Sequence, residues 1–243
     1  MTKLLGLVWL LAASMHVYAA DNPYEKNYKA QNTGNLVSLQ ANPDSKMYVS
    51  NHKDDDNISM LENGYDMMGS SGFEAGNVAP EFALLHAKAI KADTVLVYRK
   101  YASAKTKASK LELIKEAANK GGGEIDAKDL VEEPPQYKYF ASYWAKLPMP
   151  LLGVHIIKLA SRDSETEQIV ENKGLKVLAV VKDSPAEKAG LKRGDNLHKI
   201  GNVELNKPEE LSAVVRELQG QNVAIEYERE DESKITQATI NLP

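Results

Sequence analysis

One stretch, residues 174–201, constrains the fold of this chain more than any other. It opens with the apolar run Leu175–Val181, which predicts a buried strand. Ser184 followed by Pro185 is a helix-start signal, and Gly190 closes the short helix that follows. A second tight turn then leads into another strand. A strand, a one-turn helix, a tight turn and a strand occur in this order in few small domains.

Part of this stretch, DSPAEKAGLKRGDNLHKIG, resembles the most characteristic segment of PDZ domains of the bacterial kind, which are attached to HtrA-type periplasmic proteases. Upstream, Leu151–Val154 is similar to the carboxylate-binding loop of that family. Downstream, Lys207–Gln219 is similar to its groove helix and Asn222–Asn241 to its last two strands. The resemblance covers residues 150–243 and implies a partly open β-barrel capped by helices.

The resemblance also implies a binding site for an extended peptide, which would add itself as a strand to an open edge at Val154–Ile157. The terminal carboxylate would lie in the preceding loop, where Gly153 lets the backbone approach closely. Alternation directs His155 away from the pocket. Since no charged residue lies obviously inside it, we expect partners with apolar C-termini. The expected peptide-binding residues are Leu151, Leu152, Gly153, Val154, His155, Ile156, Leu211, Val214 and Val215.

The first 19 residues have the layout of a secretory signal peptide. Lys3 supplies a positive charge, Leu4–Ala13 is apolar, and small residues precede a cleavage site near Ala19 or Ala20. The apolar run is shorter than the ~20 residues that a membrane span needs, and no other segment comes near one. We therefore expect an exported protein, periplasmic or secreted, with no transmembrane segment after cleavage.

Composition narrows the classes of partner. The chain has 30 basic and 34 acidic residues, a net charge of −4, and shows no electrostatic footprint for nucleic acid. It contains no cysteine, so an exported chain of this size depends on ordinary hydrophobic cores. The acidic run Asp54–Asp56 lacks the glycine and the distant glutamate of a calcium loop and is interpreted as a solvated loop. We expect no metal site, no cofactor and no nucleic-acid partner.

The predicted fold class is α+β, with two domains after the signal peptide. Residues 20–45 are polar and without periodicity, which predicts a flexible lead-in. Residues 46–147 predict a small α/β sandwich domain of unknown role. The prolines that follow indicate a semi-rigid linker to the PDZ-like domain at residues 150–243.

The α/β domain is predicted to contain a βαβ core. Strand Tyr65–Ser70, helix Glu81–Lys91 and strand Thr94–Tyr98 suggest a crossover unit with parallel pairing. The apolar stripe of the helix, which includes Phe82, Leu85, Ala89 and Ile90, leaves His86 on another face. The aromatic segment Tyr137–Ala145 is typical of a strand that is covered on both faces, although an aromatic binding platform is an alternative.

No catalytic residues are predicted. Gly69–Gly72 partly resembles a nucleophile elbow, but it does not satisfy G-x-S-x-G, and the phosphate-loop and dinucleotide patterns are also missing. We interpret its glycines as a sharp turn between strand and helix. The predicted function is a non-catalytic adaptor of the cell envelope. Two alternatives stay open: an enzyme or small-ligand-binding protein that uses the α/β domain, with the PDZ part as its targeting arm, or an accessory subunit of an envelope protease.

Overall fold

The computed structural model describes residues 21–31, 36–103, 111–112, 114–116, 119, 135–162 and 169–242. It shows a mixed α/β protein with a five-stranded sheet, a six-stranded sheet and a small two-stranded sheet. The predicted signal peptide lies outside these residues. Across the described ranges, no helix is both long and apolar enough to cross a membrane.

The five-stranded sheet, called the N-terminal sheet below, is built from the first part of the chain. Its strands lie in the order β1-β3-β5-β4-β2; β2 runs parallel to β4, and the other neighbours are antiparallel. The elements are α1 (Pro23–Lys26), β1 (Tyr28–Ala30), β2 (Lys46–Ser50), α2 (Lys53–Glu62), β3 (Tyr65–Ala75), α3 (Glu81–Ala89), β4 (Thr94–Ser103) and β5 (Gln136–Lys146).

The aromatic strand β5 lies at the centre of this sheet and is covered on both faces, as predicted. Tyr139 and Tyr143 point into the core that α1 and α3 cover. Phe140 and Trp144 point to the opposite face, where they pack with Leu61 of α2. The alternation along β5 therefore separates two apolar layers, one on each side of the sheet.

The predicted crossover unit is present, but its strands are not neighbours. Both β3 and β4 are antiparallel to β5, so they run in the same direction with β5 inserted between them. The direct parallel pair is β2–β4. The expected pairing was wrong because β5, the most aromatic strand, takes the doubly covered central position.

The predicted flexible lead-in is wrong for residues 21–31. Tyr24 is completely buried in the core of the N-terminal sheet, and the Asn22 side chain caps α1 by accepting a hydrogen bond from the Tyr24 N–H at 3.0 Å. Strand β1 pairs with β3. A one-turn helix and a three-residue strand are too short to produce a periodic pattern, so the sequence did not reveal them.

The acidic run Asp54–Asp56 was also misinterpreted as a loop. It forms the first turn of α2. Carboxylates are favourable there because the helix N-terminus carries partial positive charge. Within the described ranges, no group of three or more potential metal ligands occurs.

The buried face of α3 differs from the predicted stripe. Ala83, His86 and Ala87 are buried, whereas Leu85 is exposed. The two alanines let the helix lie close to the sheet, and this brings the His86 ring within 4.7 Å of the Tyr28 ring and 5.1 Å of the Tyr143 ring, centroid to centroid. Burial lowers the pKa of His86.

The six-stranded sheet, called the C-terminal sheet below, follows the order β13-β12-β10-β9-β6, with β11 also paired to β10. Two short strands, β7 and β8, form the separate two-stranded sheet. The elements are β6 (Val154–Ile157), β7 (Ala160–Arg162), β8 (Ile169–Glu171), β9 (Leu175–Val180), α4 (Pro185–Lys188), β10 (Asn196–Ile200), β11 (Val203–Glu204), α5 (Pro208–Glu217), β12 (Asn222–Arg229) and β13 (Glu232–Thr239).

Helix α5 closes one side of the C-terminal sheet. Its side chains Leu211, Val214 and Val215 are buried in a core shared with Leu197 and Ile225. These three residues stand at positions i, i+3 and i+4, the spacing of a helix with one buried face. Packing of this stripe holds α5 across the sheet, near the strand β6.

Two segments outside the sheets, residues 181–182 after β9 and the connector that begins at residue 147, contact the chain at the end of α2. The Lys182 N–H donates to the Glu62 carbonyl at 2.8 Å, and the Leu147 N–H donates to the Gly64 carbonyl at 3.0 Å. The Lys182 ammonium also donates to the Asn63 side chain at 3.0 Å. The segment between the sheets is therefore held by hydrogen bonds as well as by its prolines.

Candidate peptide-binding groove

The candidate site lies between strand β6 and helix α5. Strand β6 lies at an edge of the C-terminal sheet and pairs with β9 on one side. Within the part of the chain that the structure describes, no strand pairs with its other edge. An unpaired edge offers a row of backbone donors and acceptors to an incoming strand.

The hydrogen bonds of β9 show which peptide groups face this free edge. The Val181 N–H donates to the Gly153 carbonyl at 2.9 Å, toward β9. Because antiparallel pairs alternate, the backbone N–H and C=O of Val154 then point away from β9. Their direction is the one needed for a ladder with an added peptide.

The loop before β6 turns its carbonyls into the protein. The carbonyls of Leu151, Leu152 and Gly153 accept from the N–H groups of Asn241, Ala186 and Val181, each at 2.9 Å. Among the described residues, no hydrogen bond of the Leu152 or Gly153 N–H occurs. Donors left free in a concave loop are the arrangement that holds a carboxylate.

Gly153 makes this loop conformation possible. Its φ is +91°, in the region that favours glycine. A Cβ atom at this position would lie 2.2 Å from the Ser184 Cβ, which is far inside van der Waals contact. Ser184 is buried and caps α4 by accepting a hydrogen bond from the Glu187 N–H at 3.2 Å, so the loop and the helix cap pack directly together.

A pocket of about 220 Å³ lies next to this loop. Six of the nine residues proposed from the sequence line it: Leu151, Leu152, Gly153, Val154, Leu211 and Val215. Ile156 lies farther along β6 and packs on the core, while Val214 is buried beneath the helix. These two residues support the groove without lining the pocket.

His155 lies on the other face of β6, as alternation predicts. Burial lowers its pKa, and the Asp66 carboxylate of the N-terminal sheet partly offsets this effect. His155 does not line the pocket.

Three lining residues were missed in the sequence: Pro150, Ser212 and Arg216. Arg216 is the one charged residue among the described residues that line the pocket, and no ion pair of its guanidinium occurs among them. It lies one turn after Ser212 on α5, directly next to Val215. Ser212 and Arg216 each directly follow a residue of the apolar stripe of α5, Leu211 and Val215. A prediction that included these next positions would have identified both side chains.

The Gly69–Gly72 segment is not the turn that the sequence predicted. It lies inside β3, and the Ser71 hydroxyl donates to the Tyr24 carbonyl at 2.6 Å. A Cβ atom on Gly69 would lie 2.6 Å from the Tyr28 ring. The glycine therefore allows β1 to approach β3, and Ser71 anchors α1.

Comparison with known proteins identifies the family of the C-terminal part. The family model for the PDZ domain matches residues 176–229. The zinc metalloprotease RasP of Shouchella clausii (strain KSM-K16) is 39% identical over 59 residues. The match covers 24% of this chain and 14% of that relative, so the chain spans only a small part of the relative's length.

Solved structures were also compared. The HtrA3 PDZ domain bound to a phage-derived ligand is 20% identical, with 36% of this chain and 81% of that chain covered and a TM-score of 0.30. A serine endoprotease from Yersinia pestis is 22% identical, with 38% and 29% covered and a TM-score of 0.30. On the family match at residues 176–229, together with the sheet and helices described above, the C-terminal part of this chain is a PDZ domain.

Proposed function

We propose that this chain is a non-catalytic adaptor that binds C-terminal or extended segments of partner proteins in its PDZ groove. The observation that carries the proposal is the free edge of β6 beside a loop whose carbonyls all point inward. A peptide that pairs with this edge would place its terminal carboxylate against the free N–H groups of the loop. The residues in contact would be the six that line the pocket, together with Ile156 along the strand.

The pocket favours a partner with an apolar last residue. Leu152, Leu211 and Val215 contribute apolar side chains to its walls, and no acidic side chain lines it among the described residues. Arg216 adds a positive charge at the same pocket, which suits a free carboxylate. We propose the exported, envelope location from the N-terminal sequence. We also propose two domains that meet between residues 147 and 150; since α1 and β1 belong to the N-terminal sheet and its core, the first domain begins before the predicted residue 46.

Blocking the groove should weaken peptide binding strongly without unfolding the domain. Ser212 is exposed and lines the pocket, so Ser212→Trp fills the groove from the helix surface. We expect its affinity for a fluorescent peptide that ends in valine to fall by about tenfold or more, because the added ring occupies the space of the last side chain. Fluorescence anisotropy measures this affinity.

Ala213→Trp is the matched control, because Ala213 is exposed on the same helix but does not line the pocket. It should bind the valine peptide like the unmodified protein. Equal affinities for the two variants would show that peptides do not enter this groove.

Arg216 should contribute through its charge. We expect Arg216→Gln to weaken the valine peptide by about two- to fivefold at low salt, the range of an exposed charge pair, and less at high salt. The same peptide with a C-terminal amide should be insensitive to this substitution. Arg193→Gln removes an exposed arginine that does not line the pocket and serves as the control. An equal loss for acid and amide peptides would contradict carboxylate recognition by Arg216.

A further inference from the structure

A second cavity lies in the other half of the chain, beside the N-terminal sheet. Its volume is about 600 Å³, within the ~300–1,000 Å³ that is typical of small-molecule sites. It is bounded by β1, by the segment 36–41 and by the end of α3. The lining residues are Tyr28, Ala30, Leu36, Val37, Ser38, Leu39, Gln40, Ala41, Met68, Ile90 and Lys91.

The wall formed by segment 36–41 is mainly apolar and is held in place by a backbone hydrogen bond. Val37 and Leu39 are 71% and 61% exposed, although both line the cavity. The Leu39 N–H donates to the Lys146 carbonyl at 2.9 Å, so this wall is tied to the end of β5. Exposed apolar side chains around a concave space are a mark of a ligand site, because a bound apolar group would remove them from water.

The opposite wall is equally well positioned. The Tyr28 hydroxyl donates to the Met68 carbonyl at 3.1 Å, which holds the Tyr28 ring between the cavity and the buried His86. Ile90 follows the last turn of α3. The floor of the cavity is therefore built on packed elements and does not depend on the outer segment alone.

One cation completes the lining. Lys91 is exposed, and its backbone has a φ of +58°, where the chain leaves α3. Among the described residues its ammonium forms no ion pair, and no acidic residue lines the cavity. A long apolar surface with a single unpaired positive charge is complementary to a molecule with an apolar tail and an anionic head.

We propose that this cavity binds an amphiphile with one acyl chain and an anionic head group. The acyl chain would lie against Val37, Leu39 and Met68, and the head group would pair with Lys91. This cavity shares no lining residue with the peptide groove, so this proposal does not depend on the adaptor function.

Isothermal titration calorimetry of the full chain with dodecanoate, below its micelle concentration, tests the proposal. We expect saturable binding of one molecule per chain. Lysophosphatidylglycerol with the same acyl chain distinguishes a lipid head group from a free carboxylate: tighter binding of this probe would indicate a phospholipid source, and tighter binding of dodecanoate a free fatty acid. Dodecyltrimethylammonium, which has the same tail and the opposite charge, should bind more weakly than either.

Two variants and one control assign the binding to this cavity. Ala41→Phe should fill part of the cavity and weaken dodecanoate by about tenfold. Lys91→Gln should weaken it by about two- to fivefold, whereas Lys88→Gln, which removes an exposed charge one turn earlier on α3 outside the lining, should leave the affinity unchanged. Absence of saturable binding, or affinities that ignore both Ala41→Phe and Lys91→Gln, would overturn the proposal.

Discussion

Arg229→Ala is expected to lower the free energy of unfolding of the PDZ domain by about 3–5 kcal/mol. Asp195 is 1% exposed, and the Arg229 side chain is 25% exposed. The guanidinium donates to both carboxylate oxygens, at 2.7 and 2.8 Å, and to the Gly190 carbonyl at 2.9 Å. Removing it leaves a carboxylate buried without its counter-charge. The hydrogen bonds that Arg229 donates to Asp195 also raise the pKa of Arg229.

Hydrogen exchange of the amides in β9, β10 and β12 measures this loss, because it follows the C-terminal sheet separately from the rest of the chain. Arg229→Lys is the informative control: it retains the charge but loses the paired geometry of the guanidinium, so its effect should be smaller. Unchanged exchange in Arg229→Ala would show that the pair contributes nothing to the domain.

Gly153→Ala should destabilise the same domain by about 2–4 kcal/mol and remove peptide binding. Two costs add at this position. The φ of +91° is unfavourable for any residue with a Cβ atom, and the new methyl group would lie 2.2 Å from the Ser184 Cβ. Ser184 cannot retreat easily, since it is buried and caps α4. Hydrogen exchange and peptide anisotropy together measure the result.

Gly190→Ala separates these two costs. Its φ is +80°, but no atom lies within 4 Å of the position that its Cβ would take. It should therefore show only the backbone cost, about 1–2 kcal/mol, and should retain peptide binding. If Gly153→Ala lowers the free energy of unfolding no more than Gly190→Ala does, the close packing of Gly153 on Ser184 does not contribute to the stability of the domain.

The C-terminal part was predictable because its strongest signals are local. Ser184 and Pro185 start α4 through a cap that needs no distant partner. The buried stripe of α5 is indicated by the helical spacing of its apolar residues, Leu211, Val214 and Val215. The position of Arg216 in the pocket was not predictable, because it depends on which side of α5 faces Pro150, a residue far away in the sequence.

The N-terminal part was less predictable because its organisation depends on contacts between distant segments. Tyr24 is buried by elements that follow it in the chain, and nothing in its own polar surroundings indicates this. His86 is buried because Ala83 and Ala87 bring α3 close to the sheet, a tertiary effect that outweighs the polarity of the ring. The position of β5 between β3 and β4 is likewise a long-range choice that no short pattern encodes.

Two consecutive residues, Val181 and Lys182, join the loop before β6 to the other half of the molecule. The Val181 N–H bonds to Gly153, and the Lys182 N–H bonds to Glu62 at the end of α2. If a partner's tail pairs with β6 as proposed, a pulling force on that tail would be transmitted through two adjacent backbone amides into α2, which packs on the N-terminal sheet. The proline-containing connector would carry only part of that mechanical load.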